Sequence, residues 1–242
     1  MATHTIMHAK DFLSSTPAMN SIRYSPAKPA DADAIIRLLA QSFSEREPPA
    51  VAMGLSFDDL HTFLQLNAPE IISKGLSIAG RDEEHGQIVA AALVSDFSVA
   101  STIHVDGIHK NFLPILSMLG ALDAGFSTGK TILPGQYLHI FMLGVDQKAS
   151  GFGVGQRLIQ VALAQGLNHG FQSAVAEATG GVSQHCFRKC GFVDRVKISY
   201  RDYVYDKQKV FASIRENDGA ILMELPAMGT GTMPQSGNQL KR

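Results

Sequence analysis

Between Ala149 and Leu158 the chain reads ASGFGVGQRL, with Gly151, Gly153 and Gly155 alternating with Phe152 and Val154. A glycine-rich turn leading into a helix leaves backbone N–H groups at the positive end of the helix dipole, where a phosphate or pyrophosphate fits. The same residues would also make a tight strand-to-helix turn that holds nothing. A dinucleotide fingerprint is disfavoured, because that motif is spaced G-x-G-x-x-G and opens the first strand-helix unit of its domain. A second glycine segment, AGFSTGKT at 124–131, nearly matches a nucleotide P-loop. Its first position is Ala124, no strand pattern precedes it, and ILPG after Thr131 cannot continue a helix. The only cysteines, Cys186 and Cys190 in HCFRKC, lie beside His185. With no second Cys/His cluster no metal is expected, and successive turns of one helix aim two sulfurs poorly for a disulfide. Together with Val182 on the same stripe, they read as small buried hydrophobes.

The glycine loop needs a strand before it and a helix after it. YLHIFMLGVD (137–146) is a continuous apolar run of strand length, and QRLIQVALAQGLNHG carries Ile159, Ala162, Leu163 and Leu167 on one helical face. QSAVAEAT then reads as a buried strand, SQHCFRKC as a short helix closed by Gly191, and VDRVKISYRDY as an alternating strand before the last one, AILMEL. Upstream, SIRYSP starts the sheet and DADAIIRLLAQSF places Ile35, Leu38, Leu39 and Phe43 at helical spacing. Glu47 precedes Pro48, which disfavours helical torsions and should end that helix. A second helix begins at Ser56, with Ser56 and Asp59 as a capping box. LSIAG and QIVAAALVSDF then pair through the polar turn RDEEHG. The order is β-α-α-β-β-insert-β-α-β-α-β-β, a mixed sheet with one strand-loop-helix-strand crossover. Residues 98–135 form the insert, residues 1–20 and 227–242 read as mobile tails, and 21–226 as a single domain.

Composition narrows the partners. With 45% hydrophobic and 18% charged residues and a formal net charge of -1, the chain lacks the basic excess that nucleic acid or an anionic membrane surface favours. Its most apolar stretch, Phe112 to Leu122, is shorter than the roughly 18 residues of a membrane span. A cytoplasmic location is expected by default. Composition leaves open whether the chain forms a homodimer.

The phrases VDQKASGFGVGQRLIQ and EATGGVSQHCFRKCGF, taken together, resemble the acetyl-CoA site of the GNAT acetyltransferase superfamily. In that superfamily a strand runs into a loop of the type Arg/Gln-x-x-Gly-x-Gly/Ala, and a later helix ends in an aromatic-lysine-x-Gly-Phe phrase. Gly153 and Gly155 match the two loop glycines, and Phe187, Lys189, Gly191 and Phe192 match the later phrase. Ser150 departs from the pattern, standing where the superfamily usually has Arg or Gln. The resemblance implies an α/β fold with a mixed, mostly antiparallel central sheet and flanking helices. It also implies acetyl-CoA as cosubstrate, bound along Leu143 and Val145 and by the loop Ser150, Gly151, Gly153, Val154, Gly155 and Gln156. SFSEREPPAVAMGLS, ATGGVSQ and ISYRDYVYDKQKVF resemble more narrowly the arylalkylamine N-acetyltransferases of the insect type, which carry a Glu-Pro phrase after the first helix.

Acetyl transfer to an aliphatic amine needs a base, because an ammonium of pKa about 10 is protonated at neutral pH. The resemblance assigns that task to Glu47; by composition alone a loop Glu is more often solvated. The thioester oxygen needs a backbone donor, for which Gly144 marks an expected splay in its strand. The departing thiolate, of pKa about 8.5, needs a proton donor. Many GNAT enzymes use a Tyr where this chain has Phe187, while the insect-type enzymes use two hydroxyls four residues apart, a spacing matched by Thr179 and Ser183. Ser183 would equally cap the short helix after Val182. Tyr200 and Tyr203 are reserve donors. The segment 44–55 and the insert would wall the acceptor pocket, and Asp96, Asp106 and Asp123 could steer an ammonium or merely face water. Two rivals to a small-amine acetyltransferase are an enzyme acting on protein lysines or N-termini and a non-catalytic acyl-CoA-binding module.

Overall fold

The computed structural model describes residues 22–98 and 103–228. One seven-stranded sheet runs through it: β1 (Ile22–Pro26), β2 (Ile78–Asp82), β3 (Ile88–Asp96), β4 (Tyr137–Val145), β5 (Ser173–Ala178), β6 (Val193–Ser199) and β7 (Gly219–Leu225). The strand order is β1-β2-β3-β4-β5-β7-β6. Only the β4–β5 pair is parallel, as the helix between them in sequence requires; every other neighbour is antiparallel. The mixed, mostly antiparallel sheet with one crossover therefore holds as expected. Of the segments read as tails, 1–20 and 229–242 lie outside the described residues. Met228, assigned to the C-terminal one, is buried against the sheet, and its N–H donates to the Gln172 carbonyl at 2.6 Å.

Period-two alternation divides the core between the two faces. On β3, Ala91 and Leu93 join a first apolar cluster while Ala90, Ala92 and Val94 join a second. The first face is covered by α1 (Ala32–Arg46), α2 (Pro48–Ala52), α3 (Phe57–Ser73) and α4 (Leu113–Ser127), the second by α5 (Val154–Asn168) and α6 (Gly181–Lys189). Helix α3 begins where the capping box placed it, with Ser56 Oγ accepting from the Asp59 N–H at 3.2 Å and Asp59 accepting from the Ser56 N–H at 2.9 Å. It runs to Ser73 through Pro69, well past the sequence pattern.

Two local features shape the centre of the sheet. Strand β4 is paired with β3 along its length, yet meets β5 only at Tyr137, Leu138 and His139. From Ile140 onward β4 and β5 diverge, and the edge of β4 that faces β5 has no partner strand. A bulge adds one residue to β4 at this point, since Leu93 opposes Met142 while Val94 opposes Ile140, leaving Phe141 extra. The expected irregularity at Gly144 is thus misplaced: Gly144 stays in register with Ala91. Its missing side chain serves packing instead, because a Cβ there would come within 2.7 Å of Leu39 Cδ2 on α1.

In the described part of the insert, coil from residue 103 and a 3-10 turn (Lys110–Phe112) lead into α4, and Ser98 and Gly135 are tied to one residue. Asp96 accepts from the Ser98 N–H at 3.0 Å and from the Gly135 N–H at 2.6 Å. AGFSTGKT falls in the last turn of α4 and the coil after it, with Lys130 Nζ over the Phe126 ring at 3.7 Å, so no phosphate loop exists there.

Candidate active site

A cavity of ≈ 480 Å³ opens where β4 and β5 part. One wall comes from the second face: Leu143, Val145, the loop Ser150, Gly151, Gly153, Val154, Gly155 and Gln156, then Ile159, Cys186 and Phe187. The other comes from the first face: Leu55, Leu60, Phe63, Phe112, Ile115, Leu116, Leu119, Phe141 and Met142. The cavity therefore passes through the sheet, and every cofactor-binding residue expected from the sequence lines it.

Backbone geometry makes the glycine loop a cradle. Asp146 accepts from the Lys148 N–H at 2.8 Å and starts a single 3-10 turn, after which Gly151 and Gly153 take φ of 88° and 77°, open to glycine at little cost. Gly153 then caps α5 without a side chain. Among the described residues, no carbonyl accepts from the N–H groups of Gly151, Phe152, Gly153, Val154, Gly155 or Gln156. Those groups converge at the positive end of a 15-residue helix.

Glu47 is positioned by the two prolines that follow it. Pro48 forces it to an extended conformation, φ -82° and ψ 119°, so that it ends α1 and caps α2 at once, with Pro48 at the first helical position. Its carboxylate accepts from the Ala50 N–H at 2.5 Å. This joint packs on the end of β5, where a Cβ on Gly180 would meet Pro48 Cδ at 3.5 Å. Burial lifts the Glu47 carboxyl to about 7; the Thr179 hydroxyl and the Ala50 N–H pull it down, and the Glu216 charge pushes it up. Glu47 is half-buried, capping α2 and lining the cavity.

Thr179 and Ser183 line the same cavity as Glu47. Ser183 Oγ donates to the Gly180 carbonyl at 2.8 Å and accepts from the Gly180 N–H at 3.3 Å; it is not the cap residue expected, because α6 starts at Gly181 with Gly180 as its N-cap and Ser183 reaches back from the third helical position. Tyr200, a reserve donor, is buried with its hydroxyl donating to the Thr179 carbonyl at 2.6 Å. Burial and the Glu47 charge push that phenol far above its usual range. Tyr203 stacks on Phe211, ring centroids 5.5 Å apart, and neither tyrosine lines the cavity.

Two further expectations are corrected, while the reading of the two cysteines as free thiols packed against the core holds. None of Asp96, Asp106 and Asp123 lines the cavity; Asp96 clamps the insert and Asp123 is enclosed beneath α4. Val182 is 82% exposed at the cavity rim, not part of a buried stripe. Cys186 and Cys190 are half-buried free thiols; burial raises both, Cys190 to about 11, so neither is a thiolate nucleophile at neutral pH. Among the described residues, no group of three or more His, Cys, Asp or Glu could hold a metal, and no helix is long and apolar enough to cross a membrane.

A polar cluster that the sequence did not disclose reaches the cavity through Glu177. His139 Nε2 and Glu177 Oε2 are 2.7 Å apart, both side chains nearly fully enclosed. Asp123 joins them from α4. Burial and the Glu177 charge raise its carboxyl to about 8, so at neutral pH it keeps its proton beside Glu177. Although burial opposes it, the two carboxyls raise the imidazole of His139, while His139 and Asp123 hold Glu177 below the usual carboxylate range.

A glycine loop with unpaired N–H groups, a sheet opened beside it and a carboxyl of raised pKa between loop and apolar pocket suit a transferase that draws on a phosphate-bearing donor. Residues 56–192 match the model of the acetyltransferase (GNAT) family, and the chain belongs to that family, whose cosubstrate is acetyl-CoA. No curated protein matches. Among solved structures, the C-terminal condensation domain of Ebony in complex with beta-alanyl-dopamine shares 17% identity, with 84% of this chain and 98% of that chain covered and a TM-score of 0.77. For arylalkylamine N-acetyltransferase 2 from Aedes aegypti the values are 21%, 85%, 99% and 0.70, and for a polyamine N-acetyltransferase of Drosophila melanogaster 19%, 84%, 99% and 0.63. At these identities the likeness is one of fold. The residues of the cradle fit acetyl-CoA: unpaired N–H groups suit its diphosphate, and the edge of β4 at Leu143 and Val145, which no strand pairs although Arg46 meets the Val145 carbonyl, suits its pantetheine amides.

Proposed function

We propose that the chain transfers the acetyl group of acetyl-CoA to the primary amine of a small arylalkylamine. The observation that carries this reading is Glu47, a carboxyl held near 7 in a cavity with the glycine cradle on one wall and an aromatic and aliphatic pocket on the other. Acetyl-CoA supplies a thioester carbonyl for attack. Glu47 takes the proton of the incoming ammonium, directly or through water, and its raised pKa suits a base working at neutral pH. As the C–S bond breaks, Thr179 or Ser183 passes a proton to the departing thiolate and regains one from the newly bonded nitrogen, while a free N–H on the β4 edge faces the carbonyl oxygen.

The acceptor wall favours an aromatic group. Phe63 and Phe112 stack with centroids 4.9 Å apart, and Leu60, Ile115, Leu116 and Leu119 complete a surface that rewards apolar contact. Walls from α3 and α4 suit a small molecule better than an extended peptide. The neighbours whose names specify arylalkylamine or polyamine acceptors motivate the test panel. Mass spectrometry of products formed from acetyl-CoA with arylalkylamines, polyamines, amino acids and a lysine peptide decides it: N-acetylated arylalkylamine is expected. Preferential acetylation of the peptide would reject the small-amine assignment, and no product with any amine would leave an acyl-CoA-binding module.

A further inference from the structure

The glycine loop contains no basic side chain at Ser150, but a cation reaches it from another element. Arg46, in the last turn of α1, sends its guanidinium across the end of β4: Nη2 donates to the Val145 carbonyl at 2.6 Å and to Ser42 Oγ at 2.9 Å, and Nη1 to Ser150 Oγ at 3.3 Å. Ser150 is itself tethered, donating to the Asp146 carbonyl at 3.0 Å. Among the described residues, no carboxylate pairs with Arg46, and no other Lys or Arg lines the cavity. A guanidinium carries five N–H donors, so three named contacts leave donors to spare.

We infer that Arg46 binds the diphosphate of acetyl-CoA, supplying from α1 the positive charge that Ser150 does not provide in the loop. The inference rests on acetyl-CoA being the donor. A diphosphate over the N–H groups of Gly151 to Gln156 has its negative charge partly met by the dipole of α5. The planar fork of an arginine already oriented by the Val145 carbonyl and Ser150 meets the rest with little ordering cost. Because Arg46 adjoins Glu47 in sequence, the same helix end would bring cosubstrate charge and acceptor base into one register.

Calorimetric titration of the unacetylated ligand separates this from a structural role. Wild type, Arg46→Ala, Arg46→Lys and the double variant Arg46→Ala/Ser150→Arg are each titrated with CoA, 3′-dephospho-CoA and pantetheine. Loss of a charge-assisted contact predicts about 10- to 100-fold weaker CoA binding by Arg46→Ala. The same factor is expected for 3′-dephospho-CoA, with pantetheine unchanged. Arg46→Lys, which keeps the charge without the fork, should fall between, and Ser150→Arg should restore much of the lost affinity. An equal loss for pantetheine would make Arg46 a prop for the β4 edge, and a loss confined to ligands bearing the 3′-phosphate would move it off the diphosphate; either result overturns the inference. Wild type that binds CoA normally while Arg46→Ala loses nothing overturns this inference alone, whereas wild type that binds none of the three overturns the acetyl-CoA reading as well.

Discussion

The two walls of the cavity are built by different means. On the side we propose for the cosubstrate, the groups on offer are backbone N–H and C=O groups, presented by positive-φ glycines and by a strand edge left without a partner. The side proposed for the acceptor uses side chains from helices distant in sequence, and the Asp123, Glu177 and His139 cluster reaches the cavity through Glu177. A site made of backbone is damaged by adding atoms, and one made of side chains by removing or reshaping them. Substitutions of the two kinds should therefore have separable effects.

The largest effect is expected at Glu47, between the walls. Glu47→Gln should lower kcat by about two orders of magnitude or more while leaving acetyl-CoA binding intact, as read by steady-state kinetics beside calorimetry. In wild type, kcat/KM should rise with pH through an inflection near 7, the value of the Glu47 carboxyl, because the base works only when deprotonated. Retention of near-normal turnover and of that inflection in the variant would assign the base elsewhere.

On the cosubstrate side, Gly155→Val tests the cradle without backbone strain. A Cβ at Gly155 would lie 3.9 Å from both Cys186 Sγ and Leu143 Cδ2, ordinary contact distances, so the fold should survive. The added methyls crowd the cavity wall, and the thermal stabilisation by acetyl-CoA should vanish; for intact protein it amounts to about 2.7 kcal/mol at a hundredfold excess over Kd. A melting-temperature rise equal to that of wild type would place the diphosphate elsewhere.

Leu119→Trp addresses the acceptor side. Leu119 is partly exposed into the cavity, so a larger ring there should raise KM for arylalkylamines roughly tenfold, the scale of one or two lost apolar contacts, with calorimetric CoA affinity unchanged. Loss of CoA affinity instead would show that the walls are not independent.

The smallest effect concerns the cluster. With its carboxyl near 8 folded and close to the ordinary value unfolded, Asp123 keeps its proton in the folded chain where the unfolded chain has lost it. Stability from this group is fully present below the unfolded value and declines as pH rises toward 8, by at most about 1.4 kcal/mol per pH unit. Asp123→Asn cannot ionise, so urea unfolding between pH 5 and 8 should show a shallower decline than wild type. An unchanged slope would mean that Asp123 is ionised in the fold.

Much of the cosubstrate side was legible in the chain because its parts are contiguous. The apolar run 137–146, the glycines after it and the amphipathic pattern after them follow one another, and each local preference agrees with the next. The acceptor side was legible only in outline: segments 44–55 and 98–135 do wall the pocket, but Phe63, Phe112 and Phe141 were not distinguishable from core. Asp123 was noticed for its charge and given the wrong surroundings, since nothing local says that α4 lays it on Glu177. Arg46 carried one usable signal, a basic residue in the last turn of the helix that ends at Glu47.

By itself, then, the sequence determined the element order, the glycine turn and the helix break at Glu47-Pro48, because torsional preference, capping and period act over a few residues. Only the tertiary structure decided where β4 leaves β5, that Glu47 is half-buried in the cavity wall with a raised pKa, and that Arg46 and Ser150 meet across 104 positions of chain. Each of these depends on which surfaces pack together, and desolvation and long-range contact have no counterpart in local sequence.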